Sequence, residues 1–324
     1  MAEAFDEGVW QRLDVTPWAR SSAEVRGTSE AVWLLDPDDN EWLHKSTKVH
    51  EDGGEQGEDW AELLGFLTGA CLGVPCAKVR LCLRSGRRGS LSSSLNHVKY
   101  AFTDGCLHLE EMEAPGYFRH QEGDPGCDPQ RPEIRRPGHH LRNIRDSLGG
   151  IDPPPGAASS LTAWDVFTGY LILDALIANR DRHEENWAVR RAQLSSTVSQ
   201  LAASYDHARA FGSGLREDQR ETLTADPAAL QRFCAKGTAH RFEHRKGEPI
   251  PTLVEVAAAA VEMGTPTGAD HWRKRLNTLD LAPMLEPVRE GAIPEMSVHA
   301  RTFTEKLVET NLRRLRHAIC GASA

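Results

Sequence analysis

Residues 161–179 run apolar on nearly every side, with Trp164, Phe167, Leu171, Ile172, Leu176 and Ile177 spread round a helix instead of along one stripe. A helix with no polar face cannot lie on a surface, so the rest of the fold must wrap around it. Asp165 and Asp174 interrupt the stretch, and each would be costly in a bilayer, so a helix at the centre of a domain is expected and not a membrane span. The helix should end at about Asn179, where Asn179-Arg180-Asp181-Arg182-His183-Glu184-Glu185-Asn186 follows and leads into strand-like Trp187-Ala188-Val189. Twenty residues beyond Asn186, the apolar approach Leu201-Ala202-Ala203-Ser204-Tyr205 delivers Asp206 in a turn.

Asp181, Asn186 and Asp206 thus form an ordered set: a carboxylate, four intervening residues, an amide, then a second carboxylate a hairpin's length away. Phosphoryl transfer uses this inventory. One carboxylate orients the attacking hydroxyl and accepts its proton, while an amide and a second carboxylate supply the hard oxygens that Mg2+ prefers. An Asp-x4-Asn spacing alone arises by chance in many chains. It gains meaning from the buried helix before it and the strand–turn–Asp after it. Plainer roles are a helix-capping loop for Asp181 and Asn186 and an ordinary turn for Asp206.

Phosphates also need a cation. Residues 31–35 and 41–45 flank the turn cluster Asp36-Pro37-Asp38-Asp39-Asn40 and are expected as a β-hairpin. After a charged, glycine-rich loop, residues 58–72 read as an amphipathic helix, with Trp60, Leu63, Leu64, Leu67 and Cys71 at helical spacing and Gly73 and Pro75 to stop it. Ala77, Val79, Leu81 and Leu83 then alternate with Lys78, Arg80, Cys82 and Arg84, the pattern of a half-buried strand. Lys45 at the end of the hairpin and Glu62 in the helix are the lysine and acid with which kinase small lobes hold a nucleotide. Lys48 competes with Lys45 but falls in the loop, and Glu62 has an ordinary helix-surface reading as well.

A length of 324 residues suits two domains or one bilobal unit, and 40% hydrophobic residues suffice for a real core. The net charge of −9 argues against a dedicated nucleic-acid or anionic-membrane binder, which would carry a basic excess. Seven cysteines without a C-x-x-C pair favour a reduced, cytoplasmic setting. The opening MAEAFDEGVWQRLD lacks a signal-peptide pattern.

Residues 112–160 carry eight prolines and seven glycines, with a basic cluster at Arg131, Arg135, Arg136, Arg142 and Arg145, and are expected as a surface connection or insertion between two lobes. Cys127 with His120, His139 and His140 lacks the paired spacing of a zinc site. The last half is expected to be mostly helical: a short helix opened by Asp226-Pro227, another over 254–263 behind the capping box Thr252-x-x-Glu255, and a final one over about 297–319.

The segments WLHKS…GEDWAELLGFLTGACLGVPCAKVRL, GRRGSLSSSL, LILDALIANRDRHEENWAV and LAASYDHARAFGSGL together resemble HipA-like protein kinases, closest to compact members without a large N-terminal subdomain. The resemblance spans roughly residues 25–110 and 160–320, with N-R-D-R-H-x-x-N-W its most specific part. It implies an α+β, bilobal protein-kinase-like fold: a small β-rich lobe with one helix (1–111), the Pro/Gly-rich connection (112–160) and a mostly helical lobe (161–324). It implies a serine/threonine kinase of toxin–antitoxin type using ATP and Mg2+, with a protein substrate and an antitoxin-like partner. Residue by residue, Asp181 would be the catalytic base, Asn186 and Asp206 the metal ligands and Lys45 the phosphate-binding lysine. His183 stands where the family's catalytic loop commonly has histidine. Ser90 follows Gly89 as in a family segment near the nucleotide, where some relatives are autophosphorylated, although the serine run 90–94 also reads as a plain polar loop. Asp206 is followed by His207-Ala208 and not by Phe-Gly, a departure that leaves a nucleotide-binding pseudokinase as one alternative. A small-molecule kinase using the same residues is another.

Overall fold

A computed structural model describes residues 2–6, 8–21, 31–119, 127–194 and 197–321. Strands β1 (Arg12–Asp14), β2 (Ala19–Arg20), β3 (Ala31–Leu35), β4 (Glu41–Ser46), β5 (Val79–Arg84) and β6 (Arg87–Ser93) form one sheet in the spatial order β1-β5-β6-β4-β3-β2. β1 runs parallel to β5 and the other pairs are antiparallel. The expected hairpin is β3–β4: Asp36 Oδ1 accepts from the amides of Asp38 and Asn40 at 3.0 and 2.8 Å, closing the turn. Two expectations change. Ser90 to Ser93 belong to strand β6 and not to a polar loop, because small residues let an inner strand press close: a Cβ on Gly89 would stand 2.5 Å from the Lys45 carbonyl oxygen. The alternating β5 is covered on both faces, with Leu81 packed into the main core and Cys82 buried in a second cluster with Val15, Leu34 and Leu91.

Helix α1 (Glu58–Leu72) is enclosed between this sheet and the helical half, so it has no solvent face of the kind its pattern suggested; Glu58, Asp59 and Glu62 are buried along with its leucines. It is fastened at both ends. At its start, Asp59 receives Arg12 Nη2 at 2.6 Å and Arg88 Nη2 at 3.0 Å, and Arg12 also reaches Glu295 at 2.7 Å. At its end, Gly73 takes the left-handed conformation, and Arg275 donates to the carbonyls of Cys71 and Leu72 at 2.6 and 3.0 Å.

Then come β7 (Tyr100–Asp104), α2 (Gly105–Glu111), β8 (Cys127–Asp128), β9 (Arg131–Arg135), α3 (Leu141–Ser147), α4 (Ala163–Ile177), β10 (Ala188–Ala192), β11 (Gln200–Leu201), α5 (Glu217–Ala225), α6 (Pro227–Ala235) and β12 (His244–Arg245). β7 pairs with β10, and β9 pairs with both β8 and β12. Strand pairing therefore passes from the first sheet to the second half between β6 and β7, ahead of the expected boundary at 111. The 112–160 connection, where described, is folded: Ile144 and Leu148 are buried in the core.

All of α4 is buried, as its sequence demands. Its first acid completes a capping box with Thr162 and also accepts from Thr265 N and Oγ1, each at 2.9 Å. Helices α7 (Leu253–Glu262), α8 (Pro266–Thr278), α9 (Ala282–Glu290) and α10 (Val298–Cys320) complete the half, with α7, α8 and α10 against α4. The caps at Asp226, Thr252 and Glu255 stand as expected. Among the described residues no helix is long and apolar enough to cross a membrane.

Candidate active site

The end of α4 sets the site. Ala178 turns left-handed, and Asn179 folds back so that its amide and side chain reach Asp174 at 2.8 Å each. Arg182, fully buried, then ties three segments together. It donates to both oxygens of Asp174 at 2.7 and 2.8 Å, to Ser204 Oγ at 3.0 Å, and to the carbonyls of Asn186 and Tyr205 at 2.5 and 3.4 Å. A buried guanidinium with so many acceptors is compensated for its lost hydration, and it brings the 181–186 loop and the 204–206 turn side by side.

On this base the loop closes tightly. Asn186 Nδ2 donates to the Asp181 carbonyl at 2.6 Å, which turns the amide oxygen, an acceptor, away from that carbonyl. Asp206 sits at φ 60, a left-handed backbone unusual for a residue with a side chain. Its Oδ2 lies 3.0 Å from Lys45 Nζ, both side chains being 29% exposed. Burial works against both charges. Even so, Asp206 and then Glu62 hold the Lys45 ammonium above its usual pKa, and Lys45 holds Asp206 below the usual carboxylate range.

Glu62 behaves differently. Burial and the neighbouring Asp206 push its carboxyl up to about 7, against the pull of Lys45 and of the His207 and Asp206 amides. Its Oε2 has no hydrogen-bond partner. The expected lysine–glutamate pair is replaced by Lys45–Asp206, with Glu62 adding to the field on the ammonium. Lys48, the competing lysine, is half-exposed in its loop and faces Glu58 at 3.4 Å. Ser90 lies directly opposite Lys45 in the β4–β6 ladder, on the same face, and is buried. His183 caps the 184–186 turn by accepting from the Glu185 amide at 3.2 Å, and burial keeps its pKa low although Asp181 opposes this.

Two features carried no signal in the sequence. Arg241, sixty residues beyond Asp181 in a stretch without a motif, places Nε and Nη2 2.7 and 2.6 Å from Asp181 Oδ1. Gly65 of α1 packs on His207, where an added Cβ would come 2.5 Å from the histidine Cβ. His207 is itself buried, 2.9 Å from Ser204 Oγ, with burial pushing its pKa down to about 3. The departure His207-Ala208 thus has a packing role under the helix that carries Glu62. Of the residues weighed for zinc, His139 is committed to other bonds, while His120 and the side chain of Cys127 lie outside the described residues.

The fold is that of kinases. The Helicobacter pylori proinflammatory kinase CtkA matches 96% of this chain and 100% of its own with a TM-score of 0.66 at 12% identity. HipA, in a Shewanella oneidensis MR-1 toxin–antitoxin complex with HipB and operator DNA, matches 94% of this chain and 68% of its own at 0.43 and 12%. The Golgi casein kinase matches 99% and 75% at 0.39 and 12%. The latter two are too distant to argue from. No protein-family model matches the chain, and no curated protein does.

Proposed function

We propose that the protein is an ATP- and Mg2+-dependent kinase that transfers the γ-phosphate to a serine or threonine hydroxyl of a protein. The observation that carries this reading is the convergence of Lys45, Asp206, Asn186 and Asp181 from two halves of the chain, with the lysine 3.0 Å from Asp206 and the amide bonded to the Asp181 carbonyl at 2.6 Å. The donor set fits the metal: the Asn186 amide oxygen and the Asp206 carboxylate are hard ligands on adjoining turns, and Glu62 nearby keeps a buried Oε2 without a partner. Bound Mg2+ would neutralise charge on the phosphates. Lys45 would meet a phosphate oxygen, with Glu62 keeping it charged. Asp181 would orient the acceptor hydroxyl and take its proton as the new O–P bond forms and the bond to the leaving ADP breaks.

A protein acceptor, an antitoxin-like partner and a cytoplasmic setting belong to this reading through the motif resemblance to HipA-like kinases. The pseudokinase alternative rested on His207-Ala208, of which His207 packs beneath α1. The test is incubation of the purified protein with γ-labelled ATP and Mg2+, alone and with a proteome extract, beside Asp181→Ala and Asp206→Ala. Label carried by wild type and lost in both variants supports the proposal. Equal labelling, or no stabilisation of wild type by ATP with Mg2+ in a thermal melt, overturns it.

A further inference from the structure

Arg241 reaches Asp181 at the tip of an arm held in good part by the segment read as a connection or insertion. His139, fully buried, donates from Nδ1 to the Arg241 carbonyl at 2.8 Å and accepts at Nε2 from the Trp187 indole at 3.3 Å. Those two bonds define its neutral tautomer, since one nitrogen must carry the proton and the other must not. Its ring stacks on Phe242 with centroids 4.8 Å apart and planes at 16°. The Glu243 amide donates to the His139 carbonyl at 2.8 Å, and the Glu243 carboxylate accepts from the Gly138 amide at 2.6 Å. The β9–β12 pairing continues the clamp. Trp187, at the other side of the histidine, directly follows Asn186, so the arm and the loop bearing Asp181 and Asn186 share one anchor.

We propose that Arg241 is a positioning residue for phosphoryl transfer, holding the Asp181 carboxylate aimed, and that His139 and Phe242 are the strap that keeps it there. This rests on the kinase reading above. A base must be correctly turned when the hydroxyl arrives. A guanidinium with two nitrogens on one carboxylate oxygen fixes that orientation, which the single rotating ammonium of a lysine does less well. The strap is made entirely of unmodified side chains and backbone, so the contact forms with folding. The opposite role, a plug that keeps Asp181 from its substrate, predicts the reverse result on removal.

The test uses the full chain, with ATP hydrolysis and autophosphorylation as readouts. Arg241→Ala should lower kcat by about a hundredfold, the scale of a mispositioned base. KM for ATP and the stabilisation by ATP with Mg2+ should stay as in wild type. Arg241→Lys should recover part of the rate, and added guanidinium at millimolar concentration should rescue Arg241→Ala but not Asp181→Ala. His139→Phe, which keeps the stacking ring and loses both bonds, should lower kcat less than Arg241→Ala does. If Arg241→Ala matches or exceeds an active wild type, the proposal fails and the kinase reading survives. If the loss comes with loss of ATP stabilisation and no guanidinium rescue, Arg241 is structural and the proposal also fails. A wild type that neither binds nor hydrolyses ATP removes both. Should Arg241→Ala not melt cooperatively, Arg241→Gln carries the same comparison.

Discussion

Two aspartate–cation pairs stand a few residues apart in this molecule and differ in almost everything but charge. Asp174–Arg182 is 1% exposed on both sides, and both carboxylate oxygens receive the guanidinium at 2.7 and 2.8 Å. Lys45–Asp206 is 29% exposed on both sides, rests on a left-handed aspartate, and has beside it a glutamate whose pKa burial lifts to about 7. The first pair is complete and has nothing left to offer a ligand. The second has an exposed edge and an ammonium free to exchange partners. The arginine pair builds the floor, and the lysine pair is where chemistry is proposed. Ser204 and His207 join them, since Ser204 accepts from Arg182 and lies 2.9 Å from the His207 ring.

That contrast can be broken in order of effect. Removing Arg182 should be the most damaging change. Arg182→Ala leaves Asp174 buried and unpaired, and should lower unfolding free energy by about 3–5 kcal/mol in a denaturant titration. A loss near that of a surface arginine would deny Arg182 its role as a staple. Lys45→Met is the counterpart. It should abolish labelling from ATP while changing stability by about 1 kcal/mol or less, because a partly exposed pair contributes little. A large fall in melting temperature would erase the distinction between the pairs.

Acidification probes the link between them. His207 and His44 are both buried, with pKa values depressed to about 3 and about 4. For His207 burial is the main cause, followed by Arg182, and for His44 burial is followed by Arg84 and Arg87. The unfolded chain binds these protons near pH 6.5 and the folded chain does not, so stability should fall as pH drops below 6.5 and keep falling toward 4. At pH 5 each histidine should account for roughly 2 kcal/mol. His207→Gln should flatten the slope of stability against pH between 6.5 and 5 by about half of what the two contribute. An unchanged slope would place the acid sensitivity elsewhere. The smallest effect should come from Lys48→Ala, which removes a half-exposed partner of Glu58 and should shift stability by about 0.5 kcal/mol or less, read in the same titration.

The parts of this molecule that were legible in its sequence are those governed by local pattern. The all-round apolar α4, the Asp36 turn, the capping boxes and the order Asp181, Asn186, Asp206 each follow from neighbours in the chain. What escaped depends on contacts between distant segments. The enclosure of α1 was hidden because a helix covered on both sides keeps the same leucine spacing as one covered on a single side. Its buried Asp59 gains tolerance from Arg12 and Arg88, which no window around residue 60 contains. The packing of the described part of 112–160 was hidden because proline and glycine mark turns equally in a surface connection and in a folded segment. Arg241 is ordinary until the fold sets it on Asp181.

The approach of α1 to His207 depends on an atom the chain omits. Where α1 comes closest to the turn behind Asp206, position 65 has only hydrogen, and one carbon more would stand 2.5 Å from the His207 Cβ. At this point α1 and the turn therefore meet backbone to side chain, as hard stops do in a machined joint. A methyl group at that point acts as a wedge: it would lift Glu62 and the turn bearing Asp206 apart together while leaving every polar group of the site intact.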